Sequence, residues 1–182
     1  MAGGRPSVAL NGLAEMLHHR PLGDVTERVA GGVLDNWIWG LSLIALTMTV
    51  HAMGVAAMAF AVVDLRDRLV SESPGLRHAF LVLSGLIGSI GLLLAALHAV
   101  EAWMWAAAYL WVGALGGSVD ALVYSVDSMT TRGGAGVAVD SHWRVMGVLE
   151  AVDGMLLFGI STAFAFTVMQ IYWPILAGSR RH

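Results

Sequence analysis

The sequence predicts an all-α integral membrane protein, with three transmembrane helices and a re-entrant helix and loop between the last two. Hydrophobic residues make up 57% of the 182 residues and charged residues only 13%, which is outside the balance of soluble domains. Three apolar runs are long enough to cross a hydrocarbon core about 30 Å thick. Between the second and third runs lies a polar, glycine-rich stretch, residues 118–136, in which the helical pattern is short.

Charge and cysteine content exclude several classes of function. The formal net charge is −3, and the ten basic residues, all arginines, are scattered, so no basic patch predicts nucleic-acid binding. The absence of cysteine excludes disulfides and thiolate metal sites. The sequence contains no recognisable nucleophile–base pair, phosphate-binding loop or metal cluster. We therefore predict that the protein is not an enzyme and has no resident metal or organic cofactor.

The N-terminal segment, residues 1–35, contains no spanning run and lacks the basic start of a signal peptide. Residues 8–17 and 25–34 are predicted to form short amphipathic helices that lie at the membrane interface. The adjacent His18 and His19 have no carboxylate or third imidazole at ligand spacing, so we interpret them as solvated.

The first span is predicted over residues 36–64. Trp37 and Trp39 suit one membrane interface, and the charged residues from Asp64 onward suit the other. His51 lies near the middle of this span, where an ionisable group is a candidate for function. We interpret it as a neutral imidazole that forms a hydrogen bond with a neighbouring helix.

A polar loop over residues 64–77 is predicted to lead into the second span, residues 79–111. His98 and Glu101 are three residues apart in this span and share one face of the helix. Because this pair supplies at most two metal ligands, we interpret it as a structural hydrogen bond rather than a metal site.

The stretch between the second and third spans combines a short helix, residues 118–130, with a loop, residues 131–136. The helix is predicted to end at Thr130 and Thr131, and Arg132 and a Gly-Gly-Ala-Gly run follow. A short helix that ends in a glycine-rich loop between two spans is typical of a re-entrant loop, whose backbone is tolerated at membrane depth where it lines a cavity.

The third span is predicted over residues 144–173 and ends before Pro174, which leaves residues 174–182 as a short tail. Gly154 and Gly159 lie within this span and are predicted to permit bending or close packing.

The run ALVYSVDSMTT, residues 121–131, resembles the pore helix of the potassium-channel superfamily, which ends in Thr-Thr and leads into a T-x-G-Y-G-D filter. The second span, with His98 and Glu101, resembles the outer helix of small bacterial two-helix channels, and residues 143–166 resemble their inner helix. The likeness covers about residues 79–173. It implies a homotetrameric channel in lipid, of the bacterial inner (plasma) membrane, with permeant monovalent ions in the filter as the only bound species.

The filter departs from the family pattern. The positions that match it are Thr131, Arg132, Gly133, Gly134, Ala135 and Gly136, and Thr130 precedes them. Gly134 stands where the family has the aromatic residue that braces the filter, and Gly136 stands at the acidic position. Tyr124 and Asp127 match residues that support the pore helix. The resemblance with these changes implies weakly selective cation conduction rather than high potassium selectivity.

Arg132 leaves alternatives open. If its side chain turns back to Asp127, the carbonyl rings of the filter remain available to cations. If it points to the axis, a ring of four guanidinium groups admits anions or makes the pore non-conducting. A further alternative is a helical membrane scaffold or interaction subunit that uses the glycine-rich loop only as a turn.

Overall fold

The computed structural model describes residues 22–72, 76–133 and 136–178, which form helices and connecting turns with no strand among them. The helices of these ranges are α1 (Leu22–Glu72), α2 (Leu76–Trp111), α3 (Ser118–Met129) and α4 (Arg144–Gly178), with a 3-10 turn (Ser141–Trp143) before α4. Residues 1–21, Gly134, Ala135 and residues 179–182, which carry parts of the predicted N-terminal segment, filter loop and tail, lie outside the described residues.

Three helical stretches are long and apolar enough to cross a membrane: Gly31–Arg68, Phe80–Trp111 and Ser141–Pro174. They confirm the prediction of an all-helical membrane protein with three spans. Large apolar side chains such as Phe60 and Leu92 are exposed on their outer surfaces. In a bilayer these side chains contact lipid, so their exposure is compatible with stability.

The ends of the helices differ from the prediction. α1 begins at Leu22, so residues 25–34 do not form a separate interfacial helix but continue into the first span. Only residues 73–75 separate α1 from α2, although a loop over residues 64–77 was predicted. Charged residues can extend a helix beyond its apolar part, as the Arg68–Asp64 pair at 2.8 Å does here, and composition alone does not separate such an extension from a loop. α4 also continues through Pro174, where the third span was predicted to end.

Two large apolar clusters hold the helices together, one toward each end of the bundle, and a smaller third cluster of Ala102, Met129 and Leu157 lies between them. One cluster centres on Trp105, Tyr109 and Met146, and it includes Ala121 of α3. The other joins the remaining half of the three long helices; its buried members are Val62, Ile90, Leu94, Val168 and Tyr172. The short helix α3 therefore packs in one half of the bundle only.

Asn36 attaches α1 to the start of α4. Its Oδ1 accepts a hydrogen bond from the backbone N–H of Met146 at 2.8 Å, and its Nδ2 donates to the carbonyl oxygen of His142. The first N–H groups of a helix lack partners within the helix, and a side-chain oxygen normally supplies one. Here that oxygen comes from another helix, so the first span fixes the point where the third begins.

Candidate functional site

The position of α3 follows from its contacts with α2 and α4. Ser125 Oγ lies 2.8 Å from the carbonyl oxygen of Ala102 in α2. The last residue of α3, Met129, packs against Gly154, where an added Cβ would lie 2.3 Å from its carbonyl oxygen. Gly154 is ten residues beyond Arg144, the first residue of α4, which corresponds to about 15 Å of helix. The C-terminal end of α3 therefore lies well inside the bundle.

The chain returns to the starting end after α3. The backbone N–H of Asp140 donates a hydrogen bond to the carbonyl oxygen of Ala114 at 3.3 Å. Ala114 precedes α3 and Asp140 precedes α4, so the entry and exit of the inserted segment lie side by side. The chain thus enters the bundle as the helix α3, and residues 136–139 lead back to the same end without helical structure.

Glu150 of α4 joins α3 to α2. Its carboxylate accepts a hydrogen bond from the hydroxyl of Tyr109 at 2.7 Å and lies within hydrogen-bond distance of the hydroxyl of Ser125. All three side chains are fully buried. A buried carboxylate is tolerated only where hydrogen bonds replace water, and these two hydroxyls supply that replacement.

A second buried carboxylate, Asp153, joins α4 to the other two long helices. Its Oδ2 accepts hydrogen bonds from Thr47 Oγ1 at 2.7 Å and from Trp105 Nε1 at 2.9 Å. Its Oδ1 has no hydrogen-bond partner among the residues that the structure describes. With Glu150, this residue gives the centre of the bundle two acidic side chains one helix turn apart.

The predicted support residues of α3 have different roles. Tyr124 packs edge-on against Tyr109, with ring centroids 5.2 Å apart, and its hydroxyl contacts Gly147 of α4. Asp127 is buried, and its Oδ1 lies 3.7 Å from the Arg132 guanidinium. At this distance the Arg132 side chain is turned toward Asp127, which is the first of the alternatives given for it in the sequence analysis.

The end of α3 is a Schellman cap with an unusual residue. The N–H of Arg132 donates to the carbonyl oxygen of Asp127 at 2.8 Å, and the N–H of Thr131 donates to that of Ser128 at 2.9 Å. Thr131 has a φ of 60°, a conformation that β-branched residues rarely adopt. The same motif ends α2, but there Gly113 holds this position with a φ of 70°. The threonine costs about 1–3 kcal/mol in backbone strain, which is typical of functional loops.

The Schellman cap differs from what the family resemblance implies for this loop. In the family pattern Thr131 begins an extended filter, whereas here it completes the end of α3. Gly133 and Gly136 also have positive φ angles, of 90° and 79°. Thr130, Thr131, Arg132, Gly133 and Gly136 are all exposed at the surface of the single chain. The described part of the loop is thus a series of turns whose residues are exposed, although the N–H groups of Thr130, Thr131 and Arg132 are bonded to carbonyl oxygens of α3.

A cleft of about 670 Å³ adjoins this loop, between α3 and the first turns of α4. Its lining includes Tyr124, Ser128, Thr131, Gly133 and Arg144. The cleft has a mixed polar and apolar lining and is large enough to hold several water molecules or side chains from another subunit.

The predicted hinge glycines lie in an unbroken helix. Gly154 has the backbone of Met129 against it, so it serves as a contact point between α4 and α3. A Cβ built on Gly159 meets no heavy atom of the described residues within 4 Å. The two glycines therefore differ in their surroundings, and only Gly154 is required for packing within one chain.

The pair His98 and Glu101 belongs to a larger cluster. His98 Nδ1 lies 2.9 Å from Glu101 Oε2, as predicted from their spacing, and His51 Nδ1 lies 2.8 Å from Glu101 Oε1. Ser161 Oγ lies 3.0 Å from His98 Nε2 and 3.2 Å from His51 Nε2. Each of the three long helices thus contributes to one closed ring of polar contacts.

Sequence reasoning predicted that His51 contacts a neighbouring helix, which its contact with Glu101 confirms, but it did not predict the rest of the polar face of α1. Asn36, Thr47 and His51 all point into the bundle and bind residues of α2 or α4. Their spacings of 11 and 4 residues place them on one side of a helix with 3.6 residues per turn. This periodicity is present in the sequence and could have identified the face of the first span that contacts the other helices.

Comparison of the chain with models of protein families, with curated proteins and with solved structures finds no match. The function is therefore argued from the geometry of the chain itself.

Proposed function

We propose that this protein is a pore-loop ion channel that forms a homotetramer in the bacterial inner membrane and conducts small monovalent cations with weak selectivity. The observation that carries this proposal is an exposed, non-helical stretch, residues 130–133 and 136, at the inner end of a helix that only partly crosses the bundle.

The depth of this stretch is supported by the contacts of α3. Its 12 residues extend about 18 Å, which is less than the roughly 30 Å of a hydrocarbon core. The helix ends against Gly154, and the chain returns to Ala114 at the end where it entered. These contacts support a re-entrant arrangement, in which α3 enters the membrane and the loop leaves it on the same side.

Exposed irregular backbone at this depth requires a polar environment. Lipid cannot replace the hydrogen bonds of free N–H and C=O groups, so such backbone lines water or is covered by protein. Several copies of the loop around one axis satisfy both conditions, because each covers its neighbours and all face a common water-filled path. A scaffold that used the loop only as a turn would leave these groups in lipid.

The charges around the loop favour cations. The C-terminal end of α3 points at the loop and carries the negative end of the helix dipole. The positive Arg132 lies 3.7 Å from Asp127 Oδ1, so a buried negative charge faces the guanidinium. With this pair neutral overall, the dipoles of α3 and the backbone carbonyls determine the sign of the ion that is stabilised.

Association of several chains is supported by an apolar stripe on α3. Val119, Val123 and Val126 lie on one side of this helix and are exposed. The stripe adjoins the polar loop. A helix of another subunit is therefore a better cover for the stripe than lipid is. Four copies are proposed because the sequence resembles channels that have four.

Reversal potentials test the proposed selectivity. The purified full-length protein is reconstituted into planar bilayers, and currents are recorded under opposed gradients of potassium and chloride. We expect the reversal potential to follow the potassium gradient, with sodium permeating to a similar extent.

Asp127→Asn, which leaves Arg132 without its partner, should reduce cation current several-fold, whereas the double change with Arg132→Gln should restore it.

An anion path is the second candidate, because the Arg132 side chain is 76% exposed and its ion pair with Asp127 is long, at 3.7 Å. In a tetramer that brings four Arg132 side chains to the axis, chloride is the permeant ion instead of a cation. A reversal potential that follows chloride, together with loss of that current in Arg132→Gln, would establish this candidate and exclude cation conduction. Absence of any current from reconstituted tetramers would exclude both.

A further inference from the structure

The ring of His51, His98, Glu101 and Ser161 contains fewer protons than it has contacts. Four contacts between polar atoms, of 2.8, 2.9, 3.0 and 3.2 Å, close the ring. Each neutral imidazole supplies one N–H proton, the serine supplies one hydroxyl proton, and an ionised carboxylate supplies none. Three protons cannot fill four hydrogen bonds. A ring with neutral imidazoles and an ionised carboxylate therefore lacks one positive charge, which a proton or another cation would supply.

The charge of the ring indicates the same deficiency. Glu101 and His51 are fully buried, near the middle of the membrane-spanning stretches. An ionised carboxylate at this depth is stable only beside a compensating positive charge. The nearest candidates among the described residues are the two histidines themselves, and their ring nitrogens already face either the carboxylate or Ser161.

We propose that His51, His98 and Glu101 bind a divalent transition-metal ion of the zinc class. One ligand atom from each of these three residues lies within 4.8 Å of the others, in a buried set drawn from two helices. Two histidines and a glutamate are a known donor set for zinc, whose bonds of about 2.0–2.2 Å place ligand atoms about 3.3 Å apart. Each histidine Nδ1 is within a few tenths of an ångström of this separation from a Glu101 oxygen, at 2.8 and 2.9 Å. The ligand atoms of the two histidines lie within 4.8 Å of each other and would move closer on binding.

Ser161 completes the hydrogen bonding once a metal is bound. With the ion on the Nδ1 atoms of both histidines and on the Glu101 carboxylate, both Nε2 atoms carry a proton. Each Nε2–H then donates to the Ser161 oxygen, which has two lone pairs to accept them. Orientation of metal-bound imidazoles by a partner on the other ring nitrogen is a regular feature of metal sites. Both nitrogens of each imidazole and the Glu101 carboxylate then have partners.

The ion has a route of entry beside His98. An apolar cavity of about 300 Å³ lies between α2, α3 and α4, and its lining includes His98, Met129, Thr130 and Phe158. The His98 side chain is partly exposed, whereas Glu101 is fully buried. The cavity also leaves space for the fourth ligand that a three-residue zinc site requires, such as a water molecule.

Cobalt titration tests this site. The full-length protein is purified in detergent with an affinity tag that contains no histidine, stripped of metal with a chelator, and titrated with Co²⁺. We expect one Co²⁺ per chain, with the visible absorption of a four-coordinate ion, and competition by Zn²⁺. Ser161→Ala should weaken binding by about tenfold without changing the stoichiometry, because it removes only the orienting hydrogen bonds.

Ligand variants and matched controls locate the ion. His51→Gln and Glu101→Gln should lose the stoichiometric binding, whereas His142→Gln, at an exposed histidine, and the double change His18→Gln with His19→Gln should retain it. The wild-type protein decides the question even if a ligand variant does not fold. If the wild-type protein binds no Co²⁺, the proposal is overturned, and an added proton completes the ring instead. The proposal is also overturned if a folded Glu101→Gln variant still binds one equivalent of Co²⁺.

Discussion

Gly154→Ala is expected to destabilise the protein by about 3 kcal/mol and to abolish ion conduction. The added Cβ would lie 2.3 Å from the carbonyl oxygen and 2.7 Å from the Cα of Met129. Both are backbone atoms, so no side-chain rotation removes the clash, and the C-terminal end of α3 must move. The effect is measured as a decrease in thermal unfolding temperature in detergent and as loss of current in planar bilayers.

Gly159→Ala is the matched control on the same helix. A Cβ at this position meets no heavy atom of the described residues within 4 Å, and alanine is the better helix former. We expect this variant to gain about 0.5–1 kcal/mol in stability and to keep its current. Equal behaviour of the two variants would contradict the assignment of Gly154 as the contact that sets the depth of α3.

Glu150→Ala is expected to destabilise the protein by about 2–3 kcal/mol, because it leaves the buried hydroxyl of Tyr109 without its acceptor and Ser125 with only the carbonyl oxygen of Ala102. The Tyr109 hydroxyl lies 2.7 Å from the Glu150 carboxylate, and all three side chains are fully buried. Since this carboxylate connects α2, α3 and α4, its removal should release α3 as well as lower the unfolding temperature. Proteolytic cleavage near α3 in detergent measures that release.

Glu150→Gln separates hydrogen bonding from charge. Its amide oxygen still accepts a hydrogen bond, so we expect a loss of about 1 kcal/mol and normal resistance of α3 to protease. If the Glu150→Ala variant unfolds at the wild-type temperature, the carboxylate does not hold α3 in place. A loss in Glu150→Gln as large as in Glu150→Ala would instead show that the negative charge, and not the acceptor, is required.

The architecture was predictable where the signal is local. Each span is a continuous apolar run, and α3 is a short helix before a glycine-rich loop, so the sequence places the three spanning stretches within about five residues and α3 within one. The ends were less predictable, because α1 extends into charged residues and α4 continues through Pro174. At these positions packing and local ion pairs decide the conformation, and composition alone does not report them.

The polar centre of the bundle was not predictable from spacing. His51 and Glu101 are 50 residues apart and His51 and Ser161 are 110 residues apart, so only the packing of three helices brings them together. The His98–Glu101 pair was predictable because both residues lie on one helix, whereas the contact of His51 with Glu101, on which the proposed metal site depends, was not. Thr131 is a further case, since no sequence pattern predicts a β-branched residue at a position that favours glycine.

The most direct test of a water-filled path at the end of α3 is the current through an Arg132→Cys variant before and after a membrane-impermeant thiol reagent. The natural chain has no cysteine, so the introduced thiol is the only one. The Leu92→Cys variant is the matched control, because both side chains are 76% exposed but Leu92 lies in the middle of an apolar span.

We expect the reagent to modify Arg132→Cys within minutes and to block its current, while Leu92→Cys stays unmodified and its current unchanged. An Arg132→Cys thiol that remains unreactive in intact membranes, or that is fully modified with no change in current, would contradict a pore lined by this loop.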